Sequence, residues 1–371
     1  MEIRSDTYVI ILAAGYATRL RPISNRIPKP LIDIDGKTLI SRIVSNFREA
    51  GFTNFCVIVG YKKELINKEM LRQKDLNILI IDQDKPTGMA DAIALAMNFV
   101  FQKEENITSF FISAADIIFS KEEILKIYNL YSHSDVVLSL MKSNDDEIAK
   151  GHGNVKISDN FNLKRDVDFG QGLQIIDIIE KPQVHQILSE YYSLPLYLVN
   201  RDIIYSMNQS KVSERGENEF QDVLKRAISN GMNIRGIRIV DPLITINNVG
   251  AFHLTTLKDI LDMNKRFLSG ANINQIEGKS HKIIEPVRIK SDVIIGNDVL
   301  IGPYAIIGKF CKIGNLCELT NVILYDNVKM GKSSKLDWCI IDENVELPEN
   351  FHAEECFITT NNKNELEVIK F

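Results

Sequence analysis

Hydrophobic residues follow two different periods along this chain, and the change falls near residue 280. Before it, short apolar runs alternate with stretches of helical spacing. Tyr8 to Leu12 is an unbroken apolar run and predicts a buried strand. Leu39, Ile40, Ile43, Val44 and Phe47 recur at helical spacing between Thr38 and Ala50, and Gly51 ends that helix. Phe55–Val59, Asn77–Ile81 and Phe110–Ser113 predict further strands, with helices at Lys62–Arg72 and Ala90–Phe101 between them. This alternation predicts an α/β fold with a mainly parallel central sheet covered on both faces. Ligands of such sheets sit beyond the carboxyl ends of the strands. Gly15 and Asp116 both follow strand ends, so both are expected at one crevice.

Beyond Asp135 the pattern becomes strands with long connections: Val136–Met141, Val155–Ile157, Leu173–Ile179 and Leu194–Val199. Phe252–Phe267 reads as an amphipathic helix that closes the first domain, and Ser269–His281 as a polar linker. After it, Ile289, Ile295, Ile301, Ile307 and Ile313 recur every sixth residue, four of them followed by Gly296, Gly302, Gly308 and Gly314. Leu319, Met330, Leu336, Ile341 and Leu347 continue the series with slips. A period of six predicts a triangular solenoid, one short strand per hexapeptide, with roughly eighteen residues per coil and about three to four coils. It resembles the left-handed parallel β-helix of hexapeptide-repeat proteins. The expected domains are 1–268, a linker at 269–282, and 283–371, whose polar tail after Phe357 covers the open end.

Composition narrows the partners. The net charge of −5 gives no nucleic-acid footprint, so local basic clusters are expected to serve small anions. The five cysteines are scattered, and Cys311 and Cys317 lack metal-site spacing. They read as small core residues in a reducing, cytoplasmic compartment. The N-terminal apolar run is too short to span a membrane, and no cleavage site follows it.

The densest chemistry lies between Tyr8 and Leu31. Ala13, Ala14 and Gly15 let the backbone turn and approach a ligand closely. Thr18, Arg19, Arg21 and Lys29 add a hydroxyl and three cations, a composition suited to phosphate. No Gly-Lys-Ser/Thr follows, and Ala17 and Leu20 stand where a dinucleotide fingerprint needs glycine. Asp116 follows a buried strand, where a carboxylate needs a partner or a metal; the other reading is a cap for the helix that starts near Lys121. Gln83–Asp91 is either a base-reading loop or an ordinary strand-to-helix turn. Glu180-Lys181-Pro182 is either a ligand-binding pair or a solvated strand end.

Taken together, these motifs resemble the sugar-phosphate nucleotidylyltransferases, of the glucose-1-phosphate thymidylyl or uridylyl kind. Leu12–Pro22 matches L-A-A-G-x-G-T-R-L-x-P, and Pro28–Leu31 matches P-K-P-L. The resemblance implies a Rossmann-like nucleotidyltransferase domain ahead of the β-helix. It implies transfer from a nucleoside triphosphate to a sugar 1-phosphate, with pyrophosphate leaving after in-line attack. It assigns Leu12, Ala14, Gly15, Thr18, Gln83 and Gly88 to the nucleotide, and Arg19 and Lys29 to the departing pyrophosphate. Gly153, Glu180 and Lys181 fall to the sugar phosphate, and Asp116 and Asn248 to a catalytic Mg2+. Arg215–Asp222 resembles a further R-G-E-x-E-x-x-D motif.

Departures are specific: Ala17 and Ala115 replace glycines, Ser193 and Pro195 alter an N-x-G-I-Y element, and Asn248 stands for the usual Asp. Ala17 carries a conformational cost if its φ is positive and only narrows the local space if φ is negative. These departures motivate the alternative of a non-catalytic binding or regulatory paralogue. An acetyl-transferring β-helix would use a His in the coils, and His281 and His352 are expected only to flank them. The expected partners are a nucleoside triphosphate and a sugar 1-phosphate, with no nucleic acid and no membrane. Flat faces of the β-helix are expected to support a homo-oligomer, dimer or tetramer.

Overall fold

Strand β1 (Arg4–Ala13) lies inside a nine-stranded sheet. The computed structural model describes residues 3–83, 85, 87–143, 151–158, 172–207, 216, 218–239, 254–269, 271–273, 276–277, 280–361 and 363–371. β1 pairs in parallel with β2 (Phe52–Val59) on one side and β4 (Ser109–Ala114) on the other; β3 (Asn77–Asp82) pairs in parallel with β2. Val9, Ile10 and Ile11 are fully buried, as expected for an apolar run covered on both faces. Helices α1 (Leu39–Glu49), α2 (Lys63–Met70), α3 (Met89–Phe101) and α4 (Lys121–Tyr131) connect these strands and the next. α1 buries the five residues that gave its period away, and its Phe47 packs edge-on against Phe52, Phe55 and Phe111.

The second group of strands extends the same sheet. These are β5 (Val136–Lys142), β6 (Gly153–Ile157), β7 (Leu173–Glu180), β8 (Tyr191–Asn200) and β9 (Ile234–Arg238), and the full order is β3-β2-β1-β4-β8-β5-β9-β7-β6. β8 runs antiparallel to both β4 and β5, and its register with β5 shifts between Leu194 and Tyr197. That irregularity houses Pro195, which has no N–H to give to a ladder. Short α5 (Ile203–Met207) and α6 (Phe220–Ser229) complete this part; α6 buries Phe220, Val223, Leu224 and Ala227.

The chain divides into two compact units: Met1–Ala17, Ile27–Ile32 and Thr38–Asn247 in the first, Thr18–Arg26, Asp33–Lys37 and Asn248–Phe371 in the second. α7 (Leu257–Phe267) therefore groups with the repeats, where the sequence suggested that it closes the first domain. Leu261 and Leu268 face Tyr304, Ile306, Ile323 and Trp338, and the Lys265 ammonium sits 4.5 and 4.4 Å from the Tyr304 and Trp338 ring centroids.

The repeats form a parallel β-helix with three ladders. Ala271–Ile273 pairs with Val287–Ile289, and this ladder continues through residues 305–307, 322–324, 339–341 and 356–358. Ile276–Glu277 starts the second ladder and His281–Ile283 the third. The polar stretch read as a linker therefore already contains strands of the first coil. His281 and His352 also lie in paired strands, where the sequence put them outside the repeats.

The slips in the hexapeptide pattern have a geometric origin. Left-handed residues mark the corners: Asp292, Phe310, Asn327 and Asn344 on one, Asp298, Leu316, Ser333 and Asn350 on the next, Tyr304, Asn321, Trp338 and Glu355 on the third. From Leu316 to Asn321, Ser333 to Trp338 and Asn350 to Glu355 the step is five residues instead of six. Later coils are thus one residue shorter, and ladder partners change from eighteen apart (Val287↔Ala305) to seventeen (Ala305↔Val322). Cys311, Cys317, Cys339 and Cys356 fill the interior as small apolar residues, and all five cysteines are free and buried. Leu366–Lys370 folds back antiparallel on His352–Thr360 and covers one ladder's last edge. Among the described residues no helix is long and apolar enough to cross a membrane.

Candidate functional site

Four parallel strands deliver their carboxyl ends side by side, and the candidate site is built on those ends. β1 runs into Ala14 and Gly15, β2 into Gly60 and Tyr61, β3 into Gln83, and β4 into Ala115 and Asp116. Backbone hydrogen bonds tie the exits together: Ala115 N donates to Leu12 O at 3.1 Å, Tyr61 N to Ala14 O at 3.4 Å, and Gln83 N to Val59 O at 2.8 Å. A cleft of about 170 Å³ opens there, lined by Leu12, Ala13, Gly15, Ala17, Lys29, Pro30, Ala114, Ala115 and Asp116. Pockets for whole small ligands run to ~300–1,000 Å³, so this cleft has room for only part of such a ligand.

Gly15 and Asp116 thus share one crevice. An added Cβ at Gly15 would meet nothing within 4 Å, so protein packing does not demand glycine there; glycine leaves bare, exposed backbone at the cleft. Ala17 has φ +51°, which decides the question posed by the sequence: the position is left-handed, and alanine carries the conformational cost. Thr18 and Arg19 follow on an exposed 3-10 turn, Thr18–Leu20, whose Leu20 is buried; this turn belongs to the second unit.

Lys29 opens the short turn Lys29–Leu31 between Pro28 and Pro30, two residues that fix the local φ. Its ammonium lies 2.7 Å from Asp116 Oδ2, with the two side chains 17% and 22% exposed. A charge-assisted bond at this distance holds a carboxylate and a cation together at the mouth of the strands. The capping role weighed for Asp116 falls to Ser120. Its Oγ accepts from Glu123 N at 3.2 Å, and Glu123 Oε2 accepts from Ser120 N at 3.0 Å.

Gln83 is buried directly after β3, and Gly88 stands at the amino end of α3. Gly88 has φ +128°, and a Cβ there would strike the Asn218 backbone. Asn218 in turn donates to Thr87 O at 3.0 Å, accepts from Ala90 N at 3.0 Å, and its Nδ2 bonds both Asp91 oxygens at 2.8 and 2.9 Å. The loop is therefore more than a plain strand-to-helix turn: it is braced by a residue of the later R-G-E-like motif. Asn218 is a positioning residue that the sequence reading missed, because its partner lies 127 residues away.

Gly153, Glu180 and Lys181 also come together. Gly153 pairs with Glu180 across β6–β7 and with Ser193 across β6–β8. Lys181 has φ +45°, donates its N–H to His152 O at 3.2 Å, and pairs with Glu180 at 3.3 Å. Packing at Gly153 is tight: a Cβ there would lie 2.8 Å from Ser193 Oγ and 2.9 Å from Gln221 Cγ, so a larger residue would have to displace these side chains. Gln221 and Tyr197, both buried, complete this cluster; burial, with Glu180 nearby, pushes the Tyr197 phenol up. Leu196 pairs with Ser113, so the start of β8 overhangs the carboxyl end of β4. The Gly153–Glu180–Ser193 cluster thus lies at the same end of the sheet as Asp116. Asn248 and Arg215 lie outside the described residues.

Comparison with known proteins follows the same two-part division. A family profile described as nucleotidyl transferase matches residues 8–238, and one described as GMPPB C-terminal domain matches residues 283–368. Bifunctional protein GlmU of Methanococcus maripaludis (strain DSM 14266) is 32% identical over 361 residues, 95% of this chain and 77% of the relative. The protein of the same name from Methanocaldococcus jannaschii is 30% identical over 286 residues, 77% of this chain and 59% of the relative. Mannose-1-phosphate guanyltransferase beta-B of Xenopus laevis is 30% identical over 134 residues, 35% of this chain and 36% of the relative.

Proposed function

Since the chain belongs to the nucleotidyl transferase family, we propose that it is a sugar-phosphate nucleotidylyltransferase, joining a nucleoside triphosphate to a sugar 1-phosphate with release of pyrophosphate. The observation that carries the reading is the Lys29–Asp116 pair, 2.7 Å long, in a cleft floored by Leu12–Gly15 at the strand ends. A phosphoryl-type transfer asks the protein mainly for positioning and charge neutralisation. Backbone at Ala14 and Gly15 and the Thr18 hydroxyl cradle phosphate, and Lys29 and Arg19 neutralise the departing pyrophosphate. Gln83 and Gly88 meet the base. Lys181 places the attacking phosphate, while Glu180 and Gly153 orient the sugar.

Asp116 is a hard oxygen donor already exposed to the cleft, and an Asn248 amide oxygen would be a second. One carboxylate and one amide leave most of an octahedral shell to water and phosphate oxygens, as Mg2+ prefers. Bound there, Mg2+ would supply charge stabilisation at the reacting phosphate. Lys29 holds the Asp116 carboxylate in position at the cleft mouth.

On this reading the triphosphate is UTP or dTTP and the acceptor is glucose 1-phosphate or a related sugar 1-phosphate. The guanyltransferase among the relatives makes GTP with mannose 1-phosphate the pairing to test against it. One panel of triphosphates against sugar 1-phosphates, with Mg2+ and pyrophosphate release as readout, decides this. Release that disappears in Asp116→Asn supports the enzyme. Binding without release in every pairing supports the non-catalytic paralogue, which the left-handed Ala17 motivates.

A further inference from the structure

A pair of tyrosines stands beside the cleft, on the side toward Gln83. Tyr16 directly follows Gly15 and is 51% exposed. Its ring centroid lies 5.6 Å from that of Tyr61, with the planes tilted by 55°, within the range of favourable aromatic pairs. Tyr61 follows β2 and is held from two sides: its N–H donates to Ala14 O at 3.4 Å, and the Lys62 ammonium lies 5.4 Å from its ring centroid. Gly60 shows how closely the strand exits meet here. A Cβ on it would lie 3.0 Å from Gln83 O and 3.1 Å from both Ala14 Cβ and Ala14 O. In the order β3-β2-β1-β4, the cleft with Lys29 and Asp116 opens between the ends of β1 and β4, the tyrosine pair spans β1 and β2, and Gln83 follows β3. Neighbouring strands are ~4.8 Å apart, so roughly 10 Å separates the ends of β1 and β3. A nucleoside that reaches from the cleft to Gln83 has to cross the tyrosine pair. All of these residues belong to the first compact unit. A lone exposed tyrosine needs no ligand to explain it; Tyr16 differs in following a cleft-lining glycine and in being braced by a second ring.

We propose that the Tyr16 ring is the stacking platform for the nucleobase of the triphosphate, with Tyr61 as the positioning residue that fixes its ring. This rests on the reading of the cleft as the phosphate site and of Gln83 as a base contact. Every base has a π-face, so stacking adds affinity without choosing among bases. The choice falls to the hydrogen-bonding groups of Gln83 and the Gly88 loop.

The test measures binding by titration calorimetry in the full-length wild type, Tyr16→Leu, Tyr16→Phe, Tyr61→Leu and Tyr205→Leu. The last removes an exposed tyrosine on α5, away from the strand ends. The probes are UTP, dTTP, GTP and inorganic tripolyphosphate, which carries the phosphates without a base. Tyr16→Leu should weaken each nucleoside triphosphate that the wild type binds by roughly five- to a hundredfold, by a similar factor for each base, and leave tripolyphosphate within twofold. Tyr16→Phe keeps the ring and should recover most of that loss. Tyr61→Leu should lose part of the same affinity, again with tripolyphosphate unmoved, and Tyr205→Leu should bind as the wild type does. Wild-type affinity for the nucleoside triphosphates in Tyr16→Leu, or an equal loss of tripolyphosphate, overturns the platform. Pyrophosphate release by the wild type is assayed alongside. Binding without release in every pairing defeats the enzymatic reading alone, and the comparison of the variants still decides the platform. A wild type that binds no nucleoside triphosphate overturns both.

Discussion

Replacing Ala17 by glycine isolates one strained position in the loop that follows β1. Ala17 has φ +51°, where the Cβ of an L-residue crowds the following carbonyl. That crowding costs about 1–2 kcal/mol for a residue other than glycine. Glycine removes it but is freer in the unfolded chain, which offsets about 0.5–1 kcal/mol. The net expectation for Ala17→Gly is a gain of about 0.5–1 kcal/mol, or roughly 1–4 °C in melting temperature for a unit of this size. Ala17→Val goes the other way by more than about 1 kcal/mol, since a β-branched residue tolerates a positive φ worst. Differential scanning calorimetry of the three proteins in one buffer reads both signs. If Ala17→Gly lowers the melting temperature while Ala17→Val leaves it unchanged, the position is not strained and the reasoning is wrong.

Other expectations follow from single residues. Gly88→Ala meets both a φ of +128° and the Asn218 backbone, so it should lower stability by about 2 kcal/mol or more and weaken triphosphate binding, read by urea unfolding and titration calorimetry. Burial pushes the Cys56 and Cys311 thiols up to about 12, so neither should react with a thiol reagent at pH 8 until the protein unfolds. Burial raises the Asp262 carboxyl, partly opposed by Lys258. The folded state therefore favours its protonated form, and stability is lost as pH rises from the ordinary carboxylate range through the raised value. Asp262→Asn should gain stability at neutral pH and lose that slope; equal melting temperatures for the two proteins at pH 4 and 7 would contradict this.

Much of this architecture was legible because its signals are local. The apolar run at Tyr8–Leu12 and the helical spacing of Leu39–Phe47 report burial directly, and the isoleucines at every sixth position report the solenoid. The grouping of Gly15 with Asp116 was legible as two strand-end positions, since parallel strands bring their carboxyl ends together. What escaped was long-range or conformational. The five-residue corners after Leu316, Ser333 and Asn350 shift the repeat by one, which looks like noise in a sequence read at a fixed period. Strands at 271–283 carry too few apolar residues to be told from a linker; they form because the next coil offers them a ladder. The brace from Asn218 depends on a segment far away in the chain, and the sign of φ at Ala17 is not written in residue type, so no local pattern encodes either.

The central claim is that Lys29 and Asp116 act together on a triphosphate. Its most direct test is pyrophosphate release from the best triphosphate and sugar 1-phosphate pair by wild type, Lys29→Gln and Asp116→Asn, each checked for an unchanged fold by circular dichroism. The account predicts that each variant loses about a hundred- to a thousandfold in kcat, the scale of one lost electrostatic donor. It also predicts that the double variant loses far less than the product of the two, as groups acting as a unit do. Wild-type turnover in either single variant would contradict it.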